Sequence, residues 1–204
     1  MDIQAHWNRV YATKGEGDVG WFEPVPAESL RMMEAAGLTE ATCVIDVGAG
    51  ESRLVDVLAA RGLRCLAVLD VSEAALERVQ NRLGDVARSL TWIASDVTAE
   101  WAVAPMDIWH DRAVFHFLVD AGDRAAYGRR LRQTLKPGGT AIIATFAPDG
   151  PESCSGLPVA RYSPATLASE LGDDFHLVES THHVHQTPWG TAQSFQYSRF
   201  ARVG

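Results

Sequence analysis

Two glycines, Gly48 and Gly50, break an apolar run, Val44-Ile45-Asp46-Val47, and two acids, Asp70 and Asp96, stand at the ends of later apolar runs. Glycines so placed let a backbone approach a ligand more closely than any side chain permits. The helix expected from Glu51 onward turns its unsatisfied N–H groups toward the same spot. An acid closing the second apolar run, Cys65-Leu66-Ala67-Val68-Leu69-Asp70, stands where a nucleoside ribose offers two hydroxyls. A nicotinamide dinucleotide needs G-x-G-x-x-G, whereas here Gly48-x-Gly50 runs into Glu51-Ser52, and a carboxylate at the helix start repels a pyrophosphate. The chemistry indicated is a nucleoside-type ligand without phosphates.

These residues need strand ends to hold them. Strands are expected over Thr42–Val47, Cys65–Asp70, Leu90–Ser95, Met106–Asp111 and Thr140–Phe146, with helices over Glu51–Arg61, Glu73–Leu83 and Arg124–Leu135. Such alternation predicts parallel strands joined by right-handed helical crossovers. Lys136-Pro137-Gly138-Gly139 reads as the stop of the last long helix and the turn into the fifth strand. Phe175–His185 and Thr191–Val203 alternate polar with apolar residues around Thr187-Pro188-Trp189-Gly190, which predicts a closing antiparallel hairpin. Ile3–Tyr11 and Pro24–Ala36 read as short helices at the front.

The chain has 204 residues, 47% hydrophobic and 22% charged, which suits one globular domain with a sizeable core. A net charge of −8 argues against a nucleic-acid backbone as partner. Cys43, Cys65 and Cys154 lack metal-ligand spacing; the first two fall in expected buried strands, where thiols act as small hydrophobes in a reducing compartment. With no membrane-length apolar run, the expectation is a soluble, cytoplasmic protein with no membrane partner and no bound metal.

Asp46-x-Gly48-x-Gly50, the acid Asp70, Ser95-Asp96-Val97 and Leu135-Lys136-Pro137-Gly138-Gly139, in that order, resemble a class I S-adenosylmethionine-dependent methyltransferase. The resemblance covers about Thr42 to Phe146. It implies a Rossmann-like, doubly wound, mostly parallel seven-stranded sheet of order 3-2-1-4-5-7-6 with an antiparallel C-terminal hairpin and N-terminal helices as a lid. It implies a single domain: a helical cap over 1–38, a cofactor-binding core over 39–147, and an acceptor loop, helix and hairpin over 148–204. The cofactor implied is S-adenosyl-L-methionine, leaving S-adenosyl-L-homocysteine. Carried over by residue, Gly48 and Gly50 pass beneath its methionine part, with Asp46 near the amino group. Ser52 stands where the family often has a third glycine and donates at the helix start. Asp70, with Val71, takes the ribose; Asp96 and the Val97 backbone take the adenine.

The acceptor side is expected beyond strands four and five, roofed by the N-terminal segment. Asp111 at the end of strand four is a candidate to face the sulfonium or a cationic acceptor, and His116 a candidate base or polar wall. His185 is a third candidate, as a proton acceptor beside the hairpin turn, while His182 and His183 read equally well as solvated edge residues. Trp7, Tyr11, Trp21 and Phe22 are candidates to cap the sulfonium or to pack the front helix. The loop Ala147–Pro158 reads as a lid carrying Cys154. A small-molecule acceptor is favoured by the acidic charge and the lack of an appended recognition domain. A protein acceptor is the alternative: the Trp-Tyr…Trp-Phe front and Asp111-Arg112 resemble the elongation-factor lysine methyltransferases, although their Asp-Lys-Gly-Thr is Asp111-Arg112-Ala113-Val114 here. A cofactor-binding protein without catalysis is the third reading.

Overall fold

The computed structural model describes residues 2–203. In chain order the elements are α1 (Ile3–Thr13), α2 (Ala27–Ala35), β1 (Val44–Val47), α3 (Leu54–Ala60), β2 (Leu66–Asp70), α4 (Glu73–Leu83), β3 (Thr91–Ala94), β4 (Met106–Arg112), α5 (Ala121–Thr134), β5 (Leu135–Phe146), β6 (Ser153–Cys154), β7 (Leu157–Pro158), α6 (Pro164–Leu171), β8 (Phe175–Gln186) and β9 (Ala192–Arg202).

Seven strands form one sheet in the order β3-β2-β1-β4-β5-β9-β8, with β1 to β5 parallel and β9 antiparallel to both neighbours. With the small β6–β7 pair set aside, this is the expected topology. β1 and β2 are buried along their whole length because helices cover both faces. On one face Leu30, Met33, Leu54, Leu58 and Leu76 pack on Val44, Ile108 and Tyr197. On the other, Tyr127, Leu131, Leu167 and Leu171 pack on Ile45, Trp109 and Phe200. Strand alternation decides which face each side chain joins. Along β4, Ile108 belongs to the first face and Trp109 to the second.

Three expectations need correction. α3 begins at Leu54 rather than Glu51, because Gly50 and Glu51 form a turn and the Ser52 hydroxyl accepts from the Leu54 N–H at 3.1 Å. Lys136-Pro137-Gly138-Gly139 is not a separate turn. Leu135 already pairs with Met106, and the sheet absorbs the extra residues as an irregularity before Ile108 pairs with Thr140. Cys43 and Cys65, expected as free apolar thiols, precede adjacent strands with their Cα atoms 4.6 Å apart and are joined in a disulfide. Among the described residues no helix is long and apolar enough to cross a membrane.

Candidate active site

The bend after β1 requires its glycines. Gly48 and Gly50 have φ of 61° and 52°, a region that side-chain-bearing residues rarely adopt. A β-carbon on Gly48 would lie 1.9 Å from Val114 Cγ2, and one on Gly50 would lie 2.2 Å from the Tyr11 hydroxyl. The Gly50 N–H donates to Asp70 Oδ2 and the Ser72 N–H to Oδ1, both at 2.7 Å. Burial pushes Asp70 up to about 6, although those backbone donors pull the other way. On the next strand Asp96 Oδ1 accepts from both the N–H and the hydroxyl of Thr98, each at 2.7 Å. The acids are thus fixed by backbone at the ends of neighbouring strands.

A cleft opens beside them. Gly48, Asp70, Val71, Asp96 and Val97 line one side. Trp7, Tyr11, Trp21, Phe117, Phe146 and Phe195 line the other, with Arg112, Cys154 and Gln193 as the polar groups among them. Trp7 sits edge-on to Trp21 and to Phe117, with centroids 5.7 and 5.3 Å apart, so the front helix packs into this wall as well as roofing it. Burial pushes the Cys154 thiol up to about 11, which leaves it protonated and poorly nucleophilic. A second cavity shares Trp21, Gly48 and Arg112 with the cleft and is lined further by Asp46, Ser52 and His110. Asp46 Oδ2 is buried there with no hydrogen-bond partner among the described residues.

The three candidate catalytic groups are placed otherwise than expected. Asp111 lies on the opposite face of the sheet, wholly buried, accepting from the N–H groups of Val114 and Phe115 and from the Tyr127 hydroxyl. It caps the chain turn after β4 and does not line the cleft. His116 is buried behind the aromatic wall, packed on Phe117 and Phe146. Its Nδ1 accepts from the Phe146 N–H at 3.2 Å, and burial, with Arg112 nearby, lowers its pKa to about 3. His185 is buried too, with Nε2 donating to the Gly20 carbonyl at 2.8 Å and Nδ1 3.2 Å from Glu23 Oε1. None of the three lines the cleft. Of the flanking histidines, His182 lies 3.4 Å from Asp149 and His183 3.8 Å from Glu23.

Glu23, which carries no sequence signal, is the hub of this region. Arg112 reaches it at 3.0 Å while donating to the Trp21 carbonyl at 2.8 Å and to the Tyr197 hydroxyl at 3.0 Å. Burial opposes ionisation of Glu23, but the hydrogen bond from His185 and the Arg112 charge outweigh it and hold the carboxyl below its ordinary value. Arg112 and His185 together fasten the strap Val19–Pro26, which sets Trp21 in the wall.

A bend without side chains, acids at two successive strand ends and an aromatic-walled cleft are now defined, and residues 45–141 match a family model described as a methyltransferase domain. Over those residues the chain is similar to a methyltransferase domain, carried on a sheet with the strand order of the Rossmann-like methyltransferase fold. It is 28% identical over 160 residues to EEF1A lysine methyltransferase 2 of Danio rerio, covering 71% of this chain and 69% of that protein. In fold it is similar to the N-methyltransferase NodS of Bradyrhizobium japonicum WM9, solved with S-adenosyl-L-homocysteine (TM-score 0.74, 19% identity, 99% of each chain). It is also similar to the 1,6-didemethyltoxoflavin-N1-methyltransferase of Burkholderia thailandensis (TM-score 0.73, 18% identity, 100% of this chain and 86% of that one).

The residues lining the cleft and the adjoining cavity fit the cofactor. Asp70, Val71, Asp96 and Val97 line the cleft where the nucleoside is expected, and the orphaned Asp46 oxygen lies in the adjoining cavity where a cationic amino group is wanted. Ser52 lines that cavity, and its hydroxyl oxygen accepts at the start of α3. Gly50 acts indirectly, through its hydrogen bond to Asp70. Glu51, expected to repel a pyrophosphate, is paired with Arg78 at 2.6 Å.

Proposed function

We propose that the protein transfers a methyl group from S-adenosylmethionine to a small acceptor with a flat, apolar body, held among Trp7, Phe117, Phe146 and Phe195. Asp70 with Val71 would hold the ribose, Asp96 with Val97 the adenine, and Asp46, Gly48 and Ser52 the methionine end. When bound, the cofactor supplies an electrophilic methyl carbon. The chain's own contribution is alignment and exclusion of water, which the aromatic wall serves.

The observation that carries this reading is the make-up of the acceptor side: six aromatic side chains and no carboxylate. The buried Asp111, His116 and His185 stand outside it, so the acceptor atom must arrive nucleophilic or lose its proton to water. Among cleft-lining residues the carboxylates are Asp70 and Asp96, both on the nucleoside side. Lysine transfer is the second reading, favoured by the Danio rerio relative. A lysine must shed a proton before it can attack, and the acceptor wall offers no carboxylate to take it. The test is incubation of the protein with labelled S-adenosylmethionine and either a panel of aromatic amines, phenols and thiols or cell-extract polypeptides. Label in a small molecule is expected; label confined to polypeptide overturns the small-acceptor reading in favour of lysine.

A further inference from the structure

Four carboxylates among the described residues line the second cavity: Glu16, Glu23, Asp46 and Glu51. Three of them face an arginine. Glu16 Oε2 accepts from Arg53 at 2.6 Å, Glu51 lies 2.6 Å from Arg78, and Glu23 lies 3.0 Å from Arg112. Asp46 is paired with a histidine instead. His110 Nδ1 is 2.7 Å from Asp46 Oδ1, and His110 Nε2 is 2.9 Å from the Ser29 hydroxyl. All three of these side chains are buried, and Asp46 and His110 line the cavity. Asp46 Oδ2 has no hydrogen-bond partner among the described residues.

The partners assign the protons. An ionised carboxylate only accepts, so Nδ1 carries the hydrogen and Nε2 accepts from the Ser29 hydroxyl, which leaves the imidazole neutral. An arginine in place of His110 would hold Asp46 as firmly but offset its charge, as happens at Glu16, Glu23 and Glu51. The neutral ring instead gives Oδ1 a donor, fixes the plane of the carboxyl group, and leaves a whole negative charge to be met at Oδ2. Ser29 fits this arrangement. The other buried residues of α2 are Leu30, Met32 and Met33, and a hydroxyl among them is costly unless it is bonded, as it is to His110.

We propose that His110 and Ser29 are positioning residues that orient Asp46 without neutralising it, so that its Oδ2 receives the cofactor's ammonium group and the protein selects the complete cofactor over nucleosides lacking the amine. This rests on the cofactor reading above. Removing His110 leaves the buried carboxylate with no donor at either oxygen among the described residues. Such a group takes up a proton or turns away, and either change deprives the ammonium of its partner.

The test is titration of the intact protein with three ligands, read by calorimetry. They are S-adenosylhomocysteine, its decarboxylated form, which keeps the amine, and 5′-methylthioadenosine, which has the same nucleoside but neither amine nor carboxylate. The wild type is expected to prefer both amine-bearing ligands. In His110→Leu their affinities are expected to fall at least about tenfold, the lower end of what a hydrogen bond to a charged group is worth, while that of 5′-methylthioadenosine stays as it was. His110→Asn, whose amide nitrogen can stand where Nδ1 stands, is expected to keep most of the preference. Equal wild-type affinity for all three ligands overturns the proposal. So does a His110→Leu variant that loses affinity for all three alike or keeps the preference undiminished. Ser29→Ala leaves the Asp46–His110 bond but frees the ring, and serves if His110→Leu does not fold. It is expected to narrow the preference in the same direction, and an unchanged preference there also overturns the proposal. A folded wild type that binds none of the three overturns the cofactor reading itself, and this inference with it.

Discussion

The Gly50 N–H donates to Asp70 Oδ2 at 2.7 Å, so the bend after β1 and the acid closing β2 form one unit. Neither residue can change without disturbing the other. Asp70→Ala is expected to weaken S-adenosylhomocysteine binding by about 1–3 kcal/mol, the scale of hydrogen bonds lost to a charged acceptor. Because burial pushes Asp70 up to about 6, wild-type binding is expected to weaken as pH falls below that value. Equilibrium dialysis from pH 5 to 8 checks both; an unchanged affinity in the variant puts the ribose elsewhere.

Tyr11 and Gly50 are expected to be energetically coupled. A β-carbon at residue 50 would collide with the Tyr11 hydroxyl at 2.2 Å. Gly50→Ala alone is therefore expected to be strongly destabilising, through both this collision and the left-handed backbone, which costs about 1–2 kcal/mol for a side-chain-bearing residue. Tyr11→Phe removes the colliding oxygen and is expected to restore part of the loss. Urea unfolding of the two single variants and the double variant measures the coupling, and strict additivity would contradict it.

Asp111 is expected to act on stability rather than on chemistry. Burial pushes it up to about 6, above the value near 4 of an unfolded chain. Between those values the native state holds the extra proton, so the group's contribution is fully present below the window and is lost as pH rises through it. Wild type is therefore expected to gain stability relative to Asp111→Asn as pH drops from 7 to 5. Denaturant midpoints at the two pH values read this, and a constant difference would contradict it.

How much of this was legible in the sequence depends on which physical signal each residue left. The alternation of apolar runs and helical stretches, with its glycine punctuation, led to parallel strands with helical crossovers because strands and helices each impose a period, whereas the strand order came from the family resemblance. The candidate catalytic residues went astray because polarity at a strand end says nothing of the face. A usable signal was there: on β4, Asp111 shares parity with Trp109, which packs among Tyr127 and Leu131, while Arg112 shares parity with His110. Parity alone sends Asp111 to the core and Arg112 toward the cleft. Glu23 left no such trace, since it sits in an irregular strap whose partners, Arg112 and His185, come from β4 and β8.

The strap depends on that ion pair. With side chains only 12% and 14% exposed, breaking the Arg112–Glu23 pair is expected to cost toward the lower end of about 3–5 kcal/mol, because Arg112 is left buried and unbalanced. Glu23→Ala should therefore lower the unfolding free energy well below that of Glu23→Gln, which keeps the shape and one acceptor. A Glu23→Gln variant as stable as the wild type, measured by chemical denaturation, would show that the charge at residue 23 does not matter.

The central claim is that the glycine bend and the acids Asp46, Asp70 and Asp96 together form a cofactor seat. Calorimetric titration of the purified protein with S-adenosylhomocysteine tests it most directly. Saturable one-to-one binding, weakened by Asp96→Ala as well as by Asp70→Ala, is the predicted result. A folded wild-type protein that gives no binding heat across a range of temperatures and leaves the ligand free in parallel dialysis would contradict it.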